Sequence, residues 1–214
     1  MTITRRAALG QIAAGTGLLA TGAFAQTPGL TPTPFQVVGP FYPLQRPADA
    51  DADLTMISGH RARAAGAPIE LTGRVLTPRG QPVANAVMDI WQANAAGRYA
   101  HASDTSGLAL DDDFQGFGRL RTNGQGRYRV LTVRPGAYPI GGAGSPMRTP
   151  HIHFEVSGRV DRLTTQMYFP GEALNRTDIL MRDQPGAEAL IARALEAAAD
   201  GMARFAWDVV LASG

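Results

Sequence analysis

The chain has 214 residues, 44% of them hydrophobic and 18% charged, which suits one globular domain with a real core. Its 20 basic residues are all arginine and face 18 acidic residues, so the chain lacks the surplus of positive charge that nucleic-acid binders need. Cysteine is absent, which excludes disulfides, thiolate metal sites and cysteine nucleophiles.

The first 25 residues have the pattern of an export signal. Arg5 and Arg6 precede the uncharged segment 7–25, which ends in the small-x-small sequence AFA. This pattern predicts a twin-arginine-type signal peptide and a periplasmic protein, with cleavage after Ala25 left open. Four glycines make the segment too weakly hydrophobic to favour a membrane anchor, so none is expected.

Residues 26–65 form a segment rich in proline. Six prolines between positions 28 and 47 prevent regular structure, so we expect an extended arm that lies on the core or on a partner. The remaining residues, 66–214, are predicted to form the functional domain.

That domain is predicted to be mainly β. Short alternating segments separated by Gly/Pro turns indicate a β-sandwich with one or two short helices. The predicted strands are 69–76, 86–92, 127–133, 151–156, 163–169 and 204–212. A spacing of three to four residues between apolar positions predicts one helix over 186–199.

Two of the four histidines stand close together in a predicted strand. Alternate side chains of a strand share one face, so His151 and His153 point the same way and could approach one metal ion. Glu155 continues this alternation and would complete a facial triad for Fe(II). Tyr99 and Tyr138, both in glycine-containing turns outside the predicted strands, are alternative donors, and their phenolate oxygens would suit Fe(III).

Five segments in this order resemble the intradiol ring-cleavage dioxygenases, and among these the iron-binding subunit of the protocatechuate-cleaving enzymes is the most similar. The resemblance extends from about residue 69 to the C-terminal strand. The segments are WQANAAGRY at 91–99, FGR at 117–119, RPGAYP at 134–139, RTPHIHF at 148–154 and TQMYF at 165–169.

The resemblance implies a non-haem Fe(III) ion and a reaction that opens a catechol-type ring with O2 to a cis,cis-muconate. The iron ligands that it implies are Tyr99, Tyr138, His151 and His153. It further implies that Tyr138 leaves the iron when substrate binds. Arg148 corresponds to a family arginine that stabilises charge on the substrate, and Gln166 to a glutamine beside it.

The sequence also departs from the family. A proline arm replaces the helical N-terminal domain of the catechol 1,2-dioxygenases, so that subclass is not expected. Ile140 stands where the protocatechuate enzymes carry tryptophan, which favours a different catechol. The sequence leaves open whether the chain forms a homo-oligomer or a hetero-oligomer with a second subunit.

Two alternatives remain at this point. A transthyretin-like sandwich without catalytic iron would bind a ligand and consume no O2. An Fe(II) site of His151, His153 and Glu155 would depend on Glu155 and not on Tyr99.

Overall fold

The structure is a computed structural model and describes residues 29–141 and 144–213, so the predicted signal peptide lies outside the described residues. These residues form eleven short strands and two 3₁₀ helices, Ala173–Arg176 and Ala187–Leu190. The strands are β1 (Pro68–Leu76), β2 (Val87–Trp91), β3 (Phe117–Arg121), β4 (Arg127–Val133), β5 (Tyr138–Pro139), β6 (Met147–Arg148), β7 (His151–Ser157), β8 (Arg162–Tyr168), β9 (Arg193–Ala194), β10 (Ala203–Ala206) and β11 (Val209–Val210).

Two sheets face each other, as the sequence predicts for a β-sandwich. The first has the order β11-β1-β10-β9, with β4 also paired to β1, and the second has the order β3-β2-β7-β8. Phe154 of β7 spans the space between them, because its ring lies 6.4 Å from that of Tyr128 on β4 and 5.0 Å from that of Trp207. The apolar core therefore lies between the sheets.

The alternation of β7 decides which side chains enter that core. Ile152, Phe154 and Val156 are completely buried among the core residues. His151 and His153 point to the opposite face, because successive side chains of a strand alternate. The predicted strand 151–156 is thus confirmed, with one further residue at its end.

The predicted helix over 186–199 is wrong. Only Ala187–Leu190 is helical, as a 3₁₀ turn, and Arg193–Ala194 then pairs with β10. The Ala192 N–H donates to the carbonyl of Tyr168, so pairing with a sheet edge satisfies the backbone here and overrides the alanine-rich helix propensity. Across the described parts of the chain, no helix is long and apolar enough to cross a bilayer.

Two further strand predictions need correction. The predicted strand 204–212 is divided into β10 and β11, since residues 207 and 208 leave the ladder between them. Tyr138, expected outside any strand, lies in the two-residue strand β5, which pairs with β6. The sequence does not reveal β6 and β9, which have only two residues each, or β3, whose burial does not alternate along the strand.

The proline-rich segment runs along β8, the edge strand of the second sheet. The Gln36 N–H donates to the Thr164 carbonyl at 2.9 Å, and the Thr165 hydroxyl donates to the Pro34 carbonyl at 2.8 Å. A third hydrogen bond, from Gln166 Nε2 to the Val37 carbonyl, carries the segment onto the face that holds the two histidines. The arm therefore covers an open sheet edge and one side of the histidine face.

Candidate metal centre

The two histidines of β7 bring their ring nitrogens together in a buried place. Their Nε2 atoms are 3.1 Å apart, and both residues are almost wholly buried. Nδ1 of His151 lies 2.6 Å from the Thr149 carbonyl, so it is the nitrogen that carries the proton and donates. Nε2 of His151 is therefore left as a lone-pair donor, which is the usual arrangement of a metal-binding imidazole.

Both imidazoles are neutral in this setting. Burial lowers the pKa of His151 and of His153 well below the ordinary histidine value, and the nearby Arg148 guanidinium lowers it further. Nδ1 of His153 is buried and has no hydrogen-bond partner among residues 29–141 and 144–213. Neutral imidazoles crowded in this way are suited to sharing a cation.

Two tyrosine hydroxyls complete the group. The Tyr138 hydroxyl lies 3.3 Å from Nε2 of His151, and the Tyr99 ring lies 5.3 Å from that of Tyr138 and 6.3 Å from that of His153. The Tyr99 hydroxyl is buried and makes no hydrogen bond of good geometry within the described part of the chain, although the Tyr138 hydroxyl lies near enough to raise its pKa. A buried hydroxyl without a partner costs about 1–3 kcal/mol, so a further group that accepts it is expected at this point.

Burial also acts on the two phenols. It raises the pKa of Tyr99 well above the ordinary tyrosine value, and it raises the pKa of Tyr138 as well, although Arg148 partly opposes the second shift. Both phenols thus stay protonated unless a strong positive charge lies beside them.

Two glycines allow the tyrosine loops to meet. Gly97 has a φ of +88°, which favours glycine, and a Cβ there would run into the backbone of the loop that carries Tyr138. A Cβ on Gly136 would in turn strike the backbone at Gly97. The Asn94 carbonyl joins the loops by accepting the N–H groups of both glycines. The motif residues between Trp91 and Tyr99 therefore act together to place the phenols.

Aromatic rings enclose the centre on two sides. The Trp91 ring stacks on that of His153, with centroids 4.8 Å apart and planes 12° apart. Phe41 of the arm stacks on Tyr99 at 4.4 Å. These contacts fix the rings and shield Tyr99 and His153 on two sides.

Arg148 and Gln166, both singled out in the sequence, lie together next to the tyrosines and histidines. Nη2 of Arg148 donates to Oε1 of Gln166 at 2.6 Å and to the Tyr168 hydroxyl at 3.3 Å. Arg148 is buried, so its charge acts on its surroundings with little screening by solvent.

Sequence reasoning missed Asp178, the partner of this arginine. Its carboxylate accepts from Nε of Arg148 and from the Thr149 N–H, each at 2.8 Å. It is completely buried in the irregular segment after the first 3₁₀ helix. No periodicity or motif marks an aspartate in such a segment, so only the folded contacts reveal it.

Glu155 does not join the histidines. It forms an ion pair with Arg162 at 3.2 Å and lies opposite Asp89 in the sheet. Among residues 29–141 and 144–213, no group of three or more histidines and carboxylates could hold a metal ion. The Fe(II) facial triad therefore finds no support, whereas two phenol oxygens and two imidazole nitrogens form a donor set that fits a hard ferric ion.

Known proteins resemble this chain over most of its length. A family model described as "Dioxygenase" matches residues 37–213. The chain is 42% identical over 178 residues to the protocatechuate 3,4-dioxygenase beta chain of Burkholderia cepacia, a match that covers 80% of this chain and 76% of that protein. It is also 35% identical over 119 residues to catechol 1,2-dioxygenase 1 of Acinetobacter lwoffii. That match covers 50% of this chain and only 37% of the relative, so the chain spans well under half of that protein.

A solved structure shares the fold. It is the dioxygenase domain of a dioxygenase carbohydrate-binding protein fusion from Streptomyces sp. SirexAA-E. The TM-score is 0.64 at 28% sequence identity, and the match covers 86% of this chain and 100% of that one.

Proposed function

Because the chain belongs to the intradiol ring-cleaving dioxygenase family, we propose that it holds a non-haem ferric ion and cleaves a catechol-type ring with O2 to a cis,cis-muconate. The ligands that we propose are the side chains gathered beside β7: Tyr99, Tyr138, His151 and His153. The observation that carries this proposal is the Tyr99 hydroxyl, which is buried beside a second phenol and two neutral imidazoles and has no well-formed hydrogen bond among the described residues.

The donor types explain the choice of metal. Burial opposes ionisation of both phenols, so the cation that they bind must offset a raised tyrosine pKa. A trivalent ion does this better than a divalent one, because its attraction to a phenolate is stronger. When bound, the ferric ion draws electron density from a catecholate and makes its ring reactive towards O2.

Tyr138 and Arg148 act on the substrate directly in this proposal. Both line a small cavity beside the centre. As a phenolate, Tyr138 would take a proton from an incoming catechol hydroxyl. Its two-residue strand β5 pairs with β6 in a hairpin too short to be rigid by itself. The Arg148 guanidinium stabilises negative charge on the bound ring, while Gln166 and Asp178 keep it oriented.

The ligand set is tested by the colour and iron content of the purified protein. The iron-loaded protein should be burgundy, because charge transfer from tyrosinate to ferric iron absorbs visible light. Tyr99→Phe should reduce bound iron and bleach this band. When both are free of iron, the variant should be at least as stable to denaturant as the parent, because it no longer buries a hydroxyl that lacks a partner among the described residues.

Tyr128→Phe is the matched control. Tyr128 is also buried, but its hydroxyl donates to the Trp207 carbonyl at 2.6 Å in the core. Its loss should lower the free energy of unfolding by about 1 kcal/mol and leave iron and colour intact. A Tyr99→Phe protein with unchanged iron and spectrum would exclude Tyr99 as a ligand, and a colourless, iron-replete parent would exclude ferric tyrosinate altogether.

The family assignment favours an enzyme over the transthyretin-like binding module, because the matching family and relative are dioxygenases. A binding module without iron would consume no O2 with any catechol.

Export to the periplasm is part of the proposal and is supported by the Arg5-Arg6 signal pattern. Recovery of the full-length chain in the cytoplasmic fraction alone would contradict it. The relative named a beta chain supports assembly with a further subunit, which the mass of the purified particle would test.

A further inference from the structure

We propose that the substrate of this site is a catechol whose ring carries an apolar substituent and no carboxylate. The inference rests on the proposed dioxygenase function and concerns the cavity between the arm, the β5–β6 hairpin and the segment after the first 3₁₀ helix.

The cavity is small and mostly apolar. Its volume is about 130 Å³, well below the roughly 300–1,000 Å³ of pockets for drug-sized ligands. One aromatic ring would therefore fill it, and any substituent must extend towards the mouth. The lining residues are Val37, Gly39, Pro40, Phe41, Tyr138, Ile140, Arg148, Ile179 and Leu180.

Polar and apolar groups occupy opposite ends of this cavity. Tyr138 and Arg148 are both buried and mark its inner end. Val37, Ile140 and Ile179 are 46%, 42% and 44% exposed and mark its outer end. Catechol hydroxyls belong beside the proposed metal ligands at the inner end, so a ring substituent faces the outer end.

The three exposed residues form an apolar collar, a name we use for Val37, Ile140 and Ile179 together. Single exposed aliphatic side chains are ordinary on a protein surface. Here three branched ones from three separate segments converge on one cavity, which is the usual mark of a surface that binds an apolar group.

The charges in the cavity argue against a carboxylate. Among the described residues that line it, Arg148 is the only charged one, and it is paired with Asp178 at 2.8 Å. Its Nε and Nη2 atoms are engaged by Asp178, Gln166 and Tyr168, which leaves Nη1 for the reacting end of the ring.

A carboxylate on the ring would thus be desolvated by the aliphatic side chains and would form no ion pair, which is unfavourable. An alkyl group in the same place would bury apolar surface against the collar. Protocatechuate, after which the Burkholderia relative is named, carries such a carboxylate, and we expect it to be a poor substrate here.

The first experiment compares substrates of the iron-loaded parent protein. Oxygen uptake should give a kcat/KM for 4-methylcatechol at least about tenfold above that for protocatechuate, with catechol between them. An equal or higher value for protocatechuate would overturn the inference while leaving the proposed function intact. No uptake with any of the three would overturn both.

The second experiment changes the collar. Ile140→Arg and Ile179→Arg each place a cation at the mouth and should shift the kcat/KM ratio towards protocatechuate by about tenfold or more. Dissociation constants under nitrogen, measured by calorimetry, should shift in the same direction, which separates binding from turnover. Two partly exposed positions are used because a folding defect at one would not reproduce the shift at the other.

Val160→Arg is the matched control, since it adds the same charge at a residue that is 75% exposed and does not line the cavity. It should leave the ratio unchanged. A shift in Val160→Arg equal to that in the collar variants, or no shift in either collar variant, would contradict the specific role of the collar.

Discussion

The two faces of β7 differ in what their burial achieves. Phe154 and its neighbours on one face are surrounded by apolar side chains, and the polar groups nearby are paired. There Tyr128 donates to the Trp207 carbonyl, and Nε1 of Trp207 donates to the Ala189 carbonyl.

The other face is buried just as deeply, yet three of its polar atoms lack partners among the described residues. Within the described residues, the Tyr99 hydroxyl, Nδ1 of His153 and Nε1 of Trp91 have none. Each face buries a tyrosine and a tryptophan, so residue type alone does not separate them. Native proteins rarely leave such atoms unpaired, and this difference supports our proposal that one face serves stability and the other, here called the binding face, serves iron binding.

The largest effect should come from replacing a histidine on the binding face. His153→Leu should abolish iron binding and reduce ring cleavage at least about 100-fold, since even residues behind a ligand change metal affinity 10–100-fold. The iron-free variant should be no less stable than the parent, because an unpaired buried polar group has been removed. Metal analysis and denaturant unfolding measure the two quantities, and a large loss of iron-free stability would break the comparison.

The adjacent residue on the packing face should behave in the opposite way. Phe154→Ala removes a fully buried ring between the two sheets and should lower the free energy of unfolding by about 3–5 kcal/mol. The protein that remains folded should still bind iron in the same ratio. Specific loss of iron from folded Phe154→Ala would mean that the two faces are not independent.

A smaller effect is expected at Asp178, which keeps Arg148 in place. Asp178→Asn retains the shape but leaves the buried guanidinium without a counter-charge, so stability should fall by about 2 kcal/mol. The kcat should fall about tenfold or more with iron and colour retained, since the arginine would be less well oriented. A merely structural role would leave kcat per folded molecule unchanged.

Asp208→Asn provides the matched control for this buried ion pair. Asp208 pairs with Arg74 at 3.1 Å, and both side chains are more than 40% exposed. Its replacement should change stability by less than about 1 kcal/mol and should not affect kcat. Similar losses at positions 178 and 208 would show that burial does not distinguish the two ion pairs.

The sequence predicts the binding face better than its surroundings. The alternation of β7 places His151 and His153 together without further information. Tyr99 and Tyr138 come from separate loops, so only the resemblance to a family could join them to the histidines. Asp178 depends on contacts between distant segments, which leave no local pattern.

The helix predicted over 186–199 fails for a related reason. Its alanines favour a helix locally, but the sheet edge offers the same backbone hydrogen bonds together with burial of Leu190 and Ala192. Helix propensity describes an isolated segment, whereas the secondary structure that forms here also depends on tertiary contacts.

The contacts of the arm determine when the site can form during folding. The hydrogen bond between Val37 and Gln166 joins residues 129 apart, and that between Gln36 and Gln184 joins residues 148 apart. During synthesis the arm therefore leaves the ribosome long before its partners exist, and these contacts must wait until β8 and the segment beyond it have been made. One wall of the cavity is thus built from an early part of the nascent chain but closes only near the end of translation.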